Sequence, residues 1–267
     1  MLEMGEVLLC RAENAPENAS IYYLEIYAPL IARASEPGQF VHLQVSSTYD
    51  PLLRRPMSLY KINKEEGTIG ILFSVVGIGT NMLSEFSAGD GISLMGPLGR
   101  GFDLDIDADR IHLVAGGIGL APLLPAALAL KRQGKEVTVL LGVKSKGFLG
   151  GISEFQEAGI TVRIATEDGS LGRQGYVTDI LRDETEKGGV QYIISCGPNP
   201  MLRAVEVLAL ARGIPGQVSL ESYMGCGVGA CLVCACRRKN TDGGNVEYAK
   251  ICLDGPVFKF GEVEIDG

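Results

Sequence analysis

The sequence predicts a multi-domain β + α/β chain: an antiparallel β-barrel, then a parallel-sheet α/β unit, then a small C-terminal cysteine module. Three observations carry that expectation. The first hundred residues are short β-branched and aromatic runs separated by turns. From Asp109 such runs alternate with helical segments, and five of the seven cysteines fall in the last 42 residues. A length of 267 residues also exceeds the roughly 150 typical of one domain. The expected divisions are 1–104, 105–217 and 218–267.

In the first part, Ile21–Ala28, Gln39–Val45, Met57–Lys61 and Thr68–Val76 read as strands, some separated by Pro-Gly or Glu-Gly pairs. Asn81–Phe86 reads as a short helix, and Gly89-Asp90-Gly91 as a turn before a strand over Ile92–Met95. Strands at this spacing suggest a barrel. In the second part, strands are expected over Ile111–Ala115, Glu136–Gly142, Ile160–Thr166 and Gln191–Ser195. Helices are expected over Ala121–Arg132, Ile152–Ala158, Val177–Asp183 and Pro200–Ala211. That alternation implies βαβ units and a parallel sheet.

Composition narrows the function classes. Hydrophobic residues make up 46% and charged residues 21%, an ordinary globular balance that excludes disorder as a global description. The 24 basic against 32 acidic side chains give −8, which disfavours nucleic acid as a partner. With 2 histidines and no tryptophan, little is left for a His-ligated zinc hydrolase or a His-based triad. The 36 glycines are about twice the usual share of roughly 7%, which points to tight turns or backbone lying close to a ligand. Leu113–Leu130 is uncharged over 18 residues but is broken by Gly116, Gly117, Gly119, Pro122 and Pro125. It reads as strand, turn and buried helix, so no membrane partner is expected. Met1–Arg11 lacks a basic start followed by an apolar run, so a cytoplasmic, reducing location is expected. Clustered thiols there read as metal ligands before disulfides.

Cys226, Cys231 and Cys234 form C-x4-C-x2-C, with Cys252 further on; this is plant-type [2Fe-2S] spacing. Gly225, Gly227 and Gly229 would let a tight loop turn its amides toward cluster sulfurs. Zinc is the competing metal, but zinc modules usually show paired C-x2-C hairpins, and only Cys231/Cys234 makes one here. Cys236 is a spare ligand with a poorer spacing, and Cys10 reads as a small buried hydrophobe.

Nucleotide signals are individually weaker. Ala115–Pro122 joins an expected strand to an expected helix, where amides would face a pyrophosphate. As G-x-G-x-x-G it fails, because Pro122 occupies the last position, and the acid expected about 20 residues on is missing. Cys196–Met201 follows a strand and opens a helix, at the strand end where such sheets bind ligands. Asp168-Gly169-Ser170 is a turn on the same edge. Arg55-Pro56-Met57-Ser58 offers a cation for phosphate and a small hydroxyl for a flat ring; taken alone, it also fits a solvated strand edge.

Taken in order, R-P-x-S (Arg55–Ser58), G-G-x-G-x-A-P (Gly116–Pro122) and C-G-P-x-P-M (Cys196–Met201) resemble the ferredoxin–NADP reductase superfamily. The cysteine tail narrows the resemblance to electron-transfer subunits of type B, NAD-dependent dihydroorotate dehydrogenases. It covers essentially the whole chain. Its most specific stretches also include Pro37–Phe40, Gly79-Thr80, Asp168–Ser170 and Cys252–Phe258. The resemblance implies a flavin-binding barrel, a nucleotide-binding domain and a [2Fe-2S] module, holding FAD, the cluster and NAD. It also implies a catalytic partner subunit carrying FMN, in a heterotetramer serving pyrimidine biosynthesis. Electrons would pass from that FMN through the cluster to FAD and leave as hydride to NAD⁺. Arg55, Pro56, Met57 and Ser58 would contact FAD, with Leu72, Phe73 and Ser74 along the flavin and ribityl chain and Gly79 and Thr80 at the pyrophosphate. Gly117 and Gly119 would lie under NAD and Cys196 near its nicotinamide, while Cys226, Cys231, Cys234 and Cys252 would hold the cluster. No residue of this chain would be catalytic toward the pyrimidine.

The nearest alternative is a subunit of an NADH-dependent ferredoxin:NADP reductase, a sulfide dehydrogenase-like flavoprotein. Those relatives usually carry aspartate where Cys226 stands. Lys144 and Lys146 keep NADP open, since a cation there could meet a 2′-phosphate. A redox-sensing or scaffolding subunit is the non-enzymatic alternative, and the intact Arg55–Ser58 and Gly116–Pro122 stretches argue against it.

Overall fold

The computed structural model describes residues 1–13, 21–239 and 246–265. Its first half comprises β1 (Leu2–Ala12), β2 (Ile21–Tyr27), α1 (Pro29–Ala34), β3 (Phe40–Leu43), β4 (Arg55–Ser58), β5 (Lys61–Asn63), β6 (Thr68–Ser74), α2 (Ile78–Ser84) and β7 (Gly91–Leu98). These seven strands form one antiparallel sheet, β4-β3-β7-β1-β2-β6-β5, curled as a half-barrel. α1 opens on Pro29, and the Glu3 carboxylate accepts from the amides of Leu30 (3.1 Å) and Ile31 (2.8 Å). The helix start is thereby capped from a neighbouring strand.

Three differences from the sequence expectation have local causes. β1 is central to the sheet but carries its largest apolar residues, Leu2, Met4 and Leu8, on the exposed side, with Gly5 and Val7 inward. The alternation that marks a strand is therefore inverted. The expected strand Met57–Lys61 is two strands, because Leu59 and Tyr60 turn a buried corner between β4, which pairs with β3, and β5, which pairs with β6. α2 starts three residues earlier than expected: Thr80 Oγ1 accepts from the amides of Val76 (2.9 Å) and Gly77 (3.1 Å), supplying the cap.

The second half comprises β8 (Arg110–Gly116), α3 (Leu123–Arg132), β9 (Glu136–Val143), α4 (Ser153–Glu157), β10 (Thr161–Thr166), β11 (Arg173–Gln174), α5 (Val177–Glu186), β12 (Tyr192–Cys196), α6 (Asn199–Ala211) and β13 (Gly216–Ser219). The tail adds β14 (Ala235–Arg237), β15 (Tyr248–Lys250) and β16 (Val257–Lys259). The second sheet runs β11-β10-β9-β8-β12-β13-β16, parallel except for β16, and the β14–β15 hairpin stands apart. The chain winds outward from β8 through β9 and β10, then returns to β12 on the other side of β8. The carboxyl ends of β8 and β12 are thus the topological switch point, where open parallel sheets bind ligands.

The two sheets share a core. One apolar cluster runs from Ile21, Tyr23, Tyr60 and Leu72 into Leu120, Leu124, Ala127 and Phe155. Polar ties reinforce it. Tyr60 Oη donates to the Gly151 carbonyl (2.9 Å), Lys61 Nζ pairs with Glu154 (2.8 Å), and the Gln217 amide brackets the Asp103 backbone. Among the described residues no helix is long and apolar enough to cross a membrane.

Candidate functional site

A cleft of about 300 Å³ opens between the sheets. One wall is Phe40, Pro56, Met57, Ser58, Leu72, Phe73, Ser74 and Thr80 from the half-barrel, and the other is Ile118 and Ala121 from the turn after β8. Leu220, Glu221, Ser222, Met224 and Pro256 close its end. A contiguous cavity of about 590 Å³ shares several of these residues and adds Arg55, Asn199, Tyr223 and Cys236. A Cβ at Gly79 would collide with the Arg55 guanidinium, so the missing side chain lets that cation lie on the first turn of α2. Largely apolar walls, a few polar atoms and a cation at the rim fit a flat ring joined to a pyrophosphate. The cleft therefore suits a flavin dinucleotide.

At the switch point, Gly116–Leu120 and Cys196–Pro198 interlock. A Cβ on Gly119 would run into the Cys196 carbonyl, and one on Gly116 would stand 2.6 Å from Pro198 Cδ. Gly117 has φ +54° and open space above it. Gly117, Gly119 and Cys196 come together but line neither cavity. The Cys196 thiol is buried, and burial followed by the charge of Glu221 pushes its pKa up, so it is a protonated thiol at ordinary pH. Asp168 accepts from the Ser170 amide (2.9 Å) and hydroxyl (2.6 Å), and the Lys146 amide donates to that same hydroxyl (2.8 Å), closing the far edge of the sheet. Cys10 is half-buried against the Leu83 and Ser84 carbonyls, away from both cavities.

Glu221 is missing from the sequence expectation. It is exposed at the cleft, where partial desolvation of its carboxyl raises the pKa. Its position just past β13, at the carboxyl end of a parallel strand, is the signal that points to it.

Cys226, Cys231, Cys234 and Cys252, four of the five tail cysteines, fall into two pairs by their contacts. The amides of Cys226 and Cys231 each donate to the other's sulfur at 3.4 Å, and the Cys252 amide donates to Cys234 Sγ at 3.5 Å. Further amides turn inward: Ala230 (3.2 Å) and Val228 (3.5 Å) to Cys226 Sγ, and Gly229 (3.1 Å) to Cys252 Sγ. Gly227 and Gly229 hold left-handed backbone at φ +71° and +77°, which turns the loop this sharply. Among the described residues no group of three or more His, Cys, Asp or Glu is gathered to hold a single metal ion. Two thiol pairs linked by inward-facing amides suit two sulfide-bridged irons, each taking two cysteines, rather than one zinc. The Val228 and Cys231 amides pull Cys226 down to about 6, while burial, then the Cys234 thiol, pushes Cys252 up to about 12. All seven cysteines are thiols outside any disulfide. Cys236 lies on β14 in the apolar cluster that also holds Cys234 and Cys252.

Solved structures that share this fold define the class. The structure of an NADH-dependent reduced ferredoxin–NADP oxidoreductase, studied for flavin-based electron bifurcation, matches with a TM-score of 0.86 and 29% identity, covering 98% of this chain and 90% of that one. A ferredoxin–NADP⁺ reductase from Neisseria gonorrhoeae shares the fold at a TM-score of 0.65 and 16% identity, over 79% of this chain and 92% of that one. The class is thus a ferredoxin-reductase-type fold with an added cysteine module.

Residues 221–264 match the family model described as the iron-sulfur cluster binding domain of dihydroorotate dehydrogenase B. The dihydroorotate dehydrogenase B (NAD(+)) electron transfer subunit of Geobacillus sp. (strain WCH70) is 42% identical over 98% of this chain and 99% of its own length. That of Desulforamulus reducens is 42% identical over 89% and 90%, and that of Fusobacterium nucleatum 36% over 95% and 96%. The chain belongs to the family of dihydroorotate dehydrogenase B (NAD(+)) electron transfer subunits.

Proposed function

We propose that this chain carries electrons between a catalytic dihydroorotate dehydrogenase partner and NAD⁺, holding FAD in the interdomain cleft and a [2Fe-2S] cluster on Cys226, Cys231, Cys234 and Cys252. The single observation that carries this reading is the continuity of the two sites. Leu220, Glu221, Ser222 and Met224 wall the cleft, and Met224 stands two residues before Cys226, so one short segment touches both. When bound, the flavin exchanges single electrons for hydride and the cluster relays them singly. The chain's own residues bind, orient and shield.

Phe40, Leu72 and Phe73 keep water from the ring plane. Ser58 and Ser74 supply hydroxyls, and Arg55 and Thr80 meet the pyrophosphate. Gly117 and Gly119 leave room for NAD at the switch point, with Cys196 behind them. No side chain in the cleft serves as acid or base toward the pyrimidine, whose chemistry belongs to an FMN-bearing partner. Around the cysteine loop, Val228, Leu232, Val233 and Leu253 are exposed; these apolar residues form the docking face for that partner, in a two-plus-two heterotetramer. The reading divides the chain into a flavin domain (1–104), a nucleotide domain (105–217) and a cluster module (218–267), in the cytoplasm. β16 of the last module completes the second sheet, which ties the cluster to the nucleotide domain.

The test is the visible spectrum of the purified protein with flavin, iron and sulfide counts. One flavin, two irons and two sulfides per chain are expected, with an FMN-containing subunit co-purifying. Zinc in place of iron, or a colourless protein from iron- and riboflavin-replete cells, overturns the reading. Preference for NAD(H) over NADP(H) in a binding titration is expected, and the reverse would favour the ferredoxin:NADP reductase alternative.

A further inference from the structure

Of the two histidines in the chain, His42 is fully buried on β3, and neither ring nitrogen has a hydrogen-bond partner. A neutral imidazole carries one N–H donor and one acceptor, and a protein interior rarely leaves both unpaired. The direction of the ring supplies the reason. A Cβ on Gly227 would meet His42 Cε1, Nδ1 and Nε2 at 2.9, 3.0 and 3.2 Å. The nitrogen-bearing edge therefore faces the cysteine loop, one residue past Cys226.

The same strand connects His42 to the cleft. Residues two apart on a strand share a face, and the Phe40 ring lies 5.7 Å from the imidazole, centre to centre. Phe40 lines the cleft. Across the ladder, Pro56 stands opposite His42 and Ser58 opposite Phe40, so this ring pair backs the Arg55–Ser58 strand. Two adjoining rings, tilted at 55°, thus span the distance from the cleft to the cysteine loop.

We propose that His42 is a hydrogen-bond donor to a cluster sulfur on the Cys226 side, and that it raises the cluster's reduction potential. The proposal rests on the reading of the cysteine loop as a [2Fe-2S] site. An electron entering the cluster adds negative charge to its sulfurs, and an N–H aimed at one of them stabilises the reduced form. The effect is large where water is excluded, as it is around a ring with no exposure.

The test uses the intact complex, and its first arm leaves His42 unaltered. Protein labelled with nitrogen-15 histidine is reduced and its cluster signal examined by pulsed electron paramagnetic resonance. A histidine-nitrogen coupling is expected. His112, on β8 in the second sheet, is the control, and the coupling must survive in His112→Gln. The second arm is a redox titration of His42→Leu and His42→Gln. His42→Leu shifts the one-electron equilibrium about tenfold toward the oxidised cluster, or about 59 mV, whereas His42→Gln, which keeps an N–H, recovers most of that shift. A cluster signal without histidine coupling, or equal potentials in all three proteins, overturns the proposal and leaves the cluster reading standing. If neither variant assembles a cluster, the labelled wild-type protein decides. Absence of any cluster signal from the wild-type complex overturns the reading itself, and the proposal with it.

Discussion

Replacing Glu154 with glutamine tests how the two sheets are held together. Glu154 lies on α4 of the second sheet, 2.8 Å from Lys61 on β5 of the first. Burial alone would raise its pKa. Hydrogen bonds from Lys61, ahead of Tyr60 and Ser153, outweigh burial and hold it at about 2 against an ordinary 4.5. Because the single Tyr60 hydroxyl proton is donated to the Gly151 carbonyl, Lys61 is the main partner. At about 1.4 kcal/mol for each tenfold change in proton affinity, that depression sets a ceiling of about 3 kcal/mol. The Lys61 side chain is 38% exposed and that of Glu154 18%, so solvent screening brings the contribution to about 1–2 kcal/mol. The sign follows from a folded-state pKa below the unfolded one. The stabilisation is complete above pH 4.5 and is lost as pH falls toward 2. Urea unfolding of wild type and Glu154→Gln from pH 7 to pH 3 therefore shows a gap of about 1–2 kcal/mol at neutral pH that narrows below pH 4.5. A gap that stays constant across this range refutes an ionised Glu154–Lys61 tie.

Three further outcomes follow from the site geometry. Gly119→Ala forces a Cβ into the Cys196 carbonyl and Gly197 amide, backbone that cannot yield. It is expected to cost about 1–3 kcal/mol of stability and at least tenfold in NAD affinity, read by thermal melting and equilibrium titration. In metal-stripped protein, Cys226 at about 6 and Cys252 at about 12 separate in alkylation. Cys226 reacts at a rate that climbs through pH 6 and levels above pH 7, and Cys252 lags throughout, as peptide mass spectrometry would show; equal rates refute the assignment. Cys226→Ser is expected to retain flavin while abolishing electron delivery from dihydroorotate to NAD⁺. Intact turnover without a cluster would mean that electrons take another path.

Where side-chain pattern and strand environment agree, the fold was legible. β8, β9, β10 and β12 alternate with helices as expected, and β8, β9 and β12, largely buried on both faces, read as near-continuous apolar runs; the short exposed β11 has no such run and was not expected. β1 escaped notice because a half-barrel strand with glycine and valine inside and leucine and methionine outside inverts the usual pattern. The Leu59–Tyr60 corner escaped for a related reason: a buried bend keeps the hydrophobicity of a strand while changing its partners. Neither fact is local to its own residues, since both depend on which neighbour the chain meets.

The site divides the same way. The spacing of Cys226, Cys231 and Cys234 announces the candidate ligands, because a loop that could wrap a cluster is encoded within ten residues. Their division into 226/231 and 234/252 requires Cys252 to return from beyond the β14–β15 hairpin, which spacing does not state. Glu221 and His42 lie further from the reach of motif reading. Each is an ordinary residue type whose meaning comes from its surroundings, the first from a strand end that opens onto the cleft and the second from an imidazole edge turned to a glycine in the cysteine loop. That contact joins residue 42 to residue 227. It links the candidate flavin cleft and the cysteine loop through packed rings, which makes Gly227→Ala informative about the proposed coupling: the added methyl must displace the imidazole, so the cluster potential should move while the four proposed cysteine ligands remain in place.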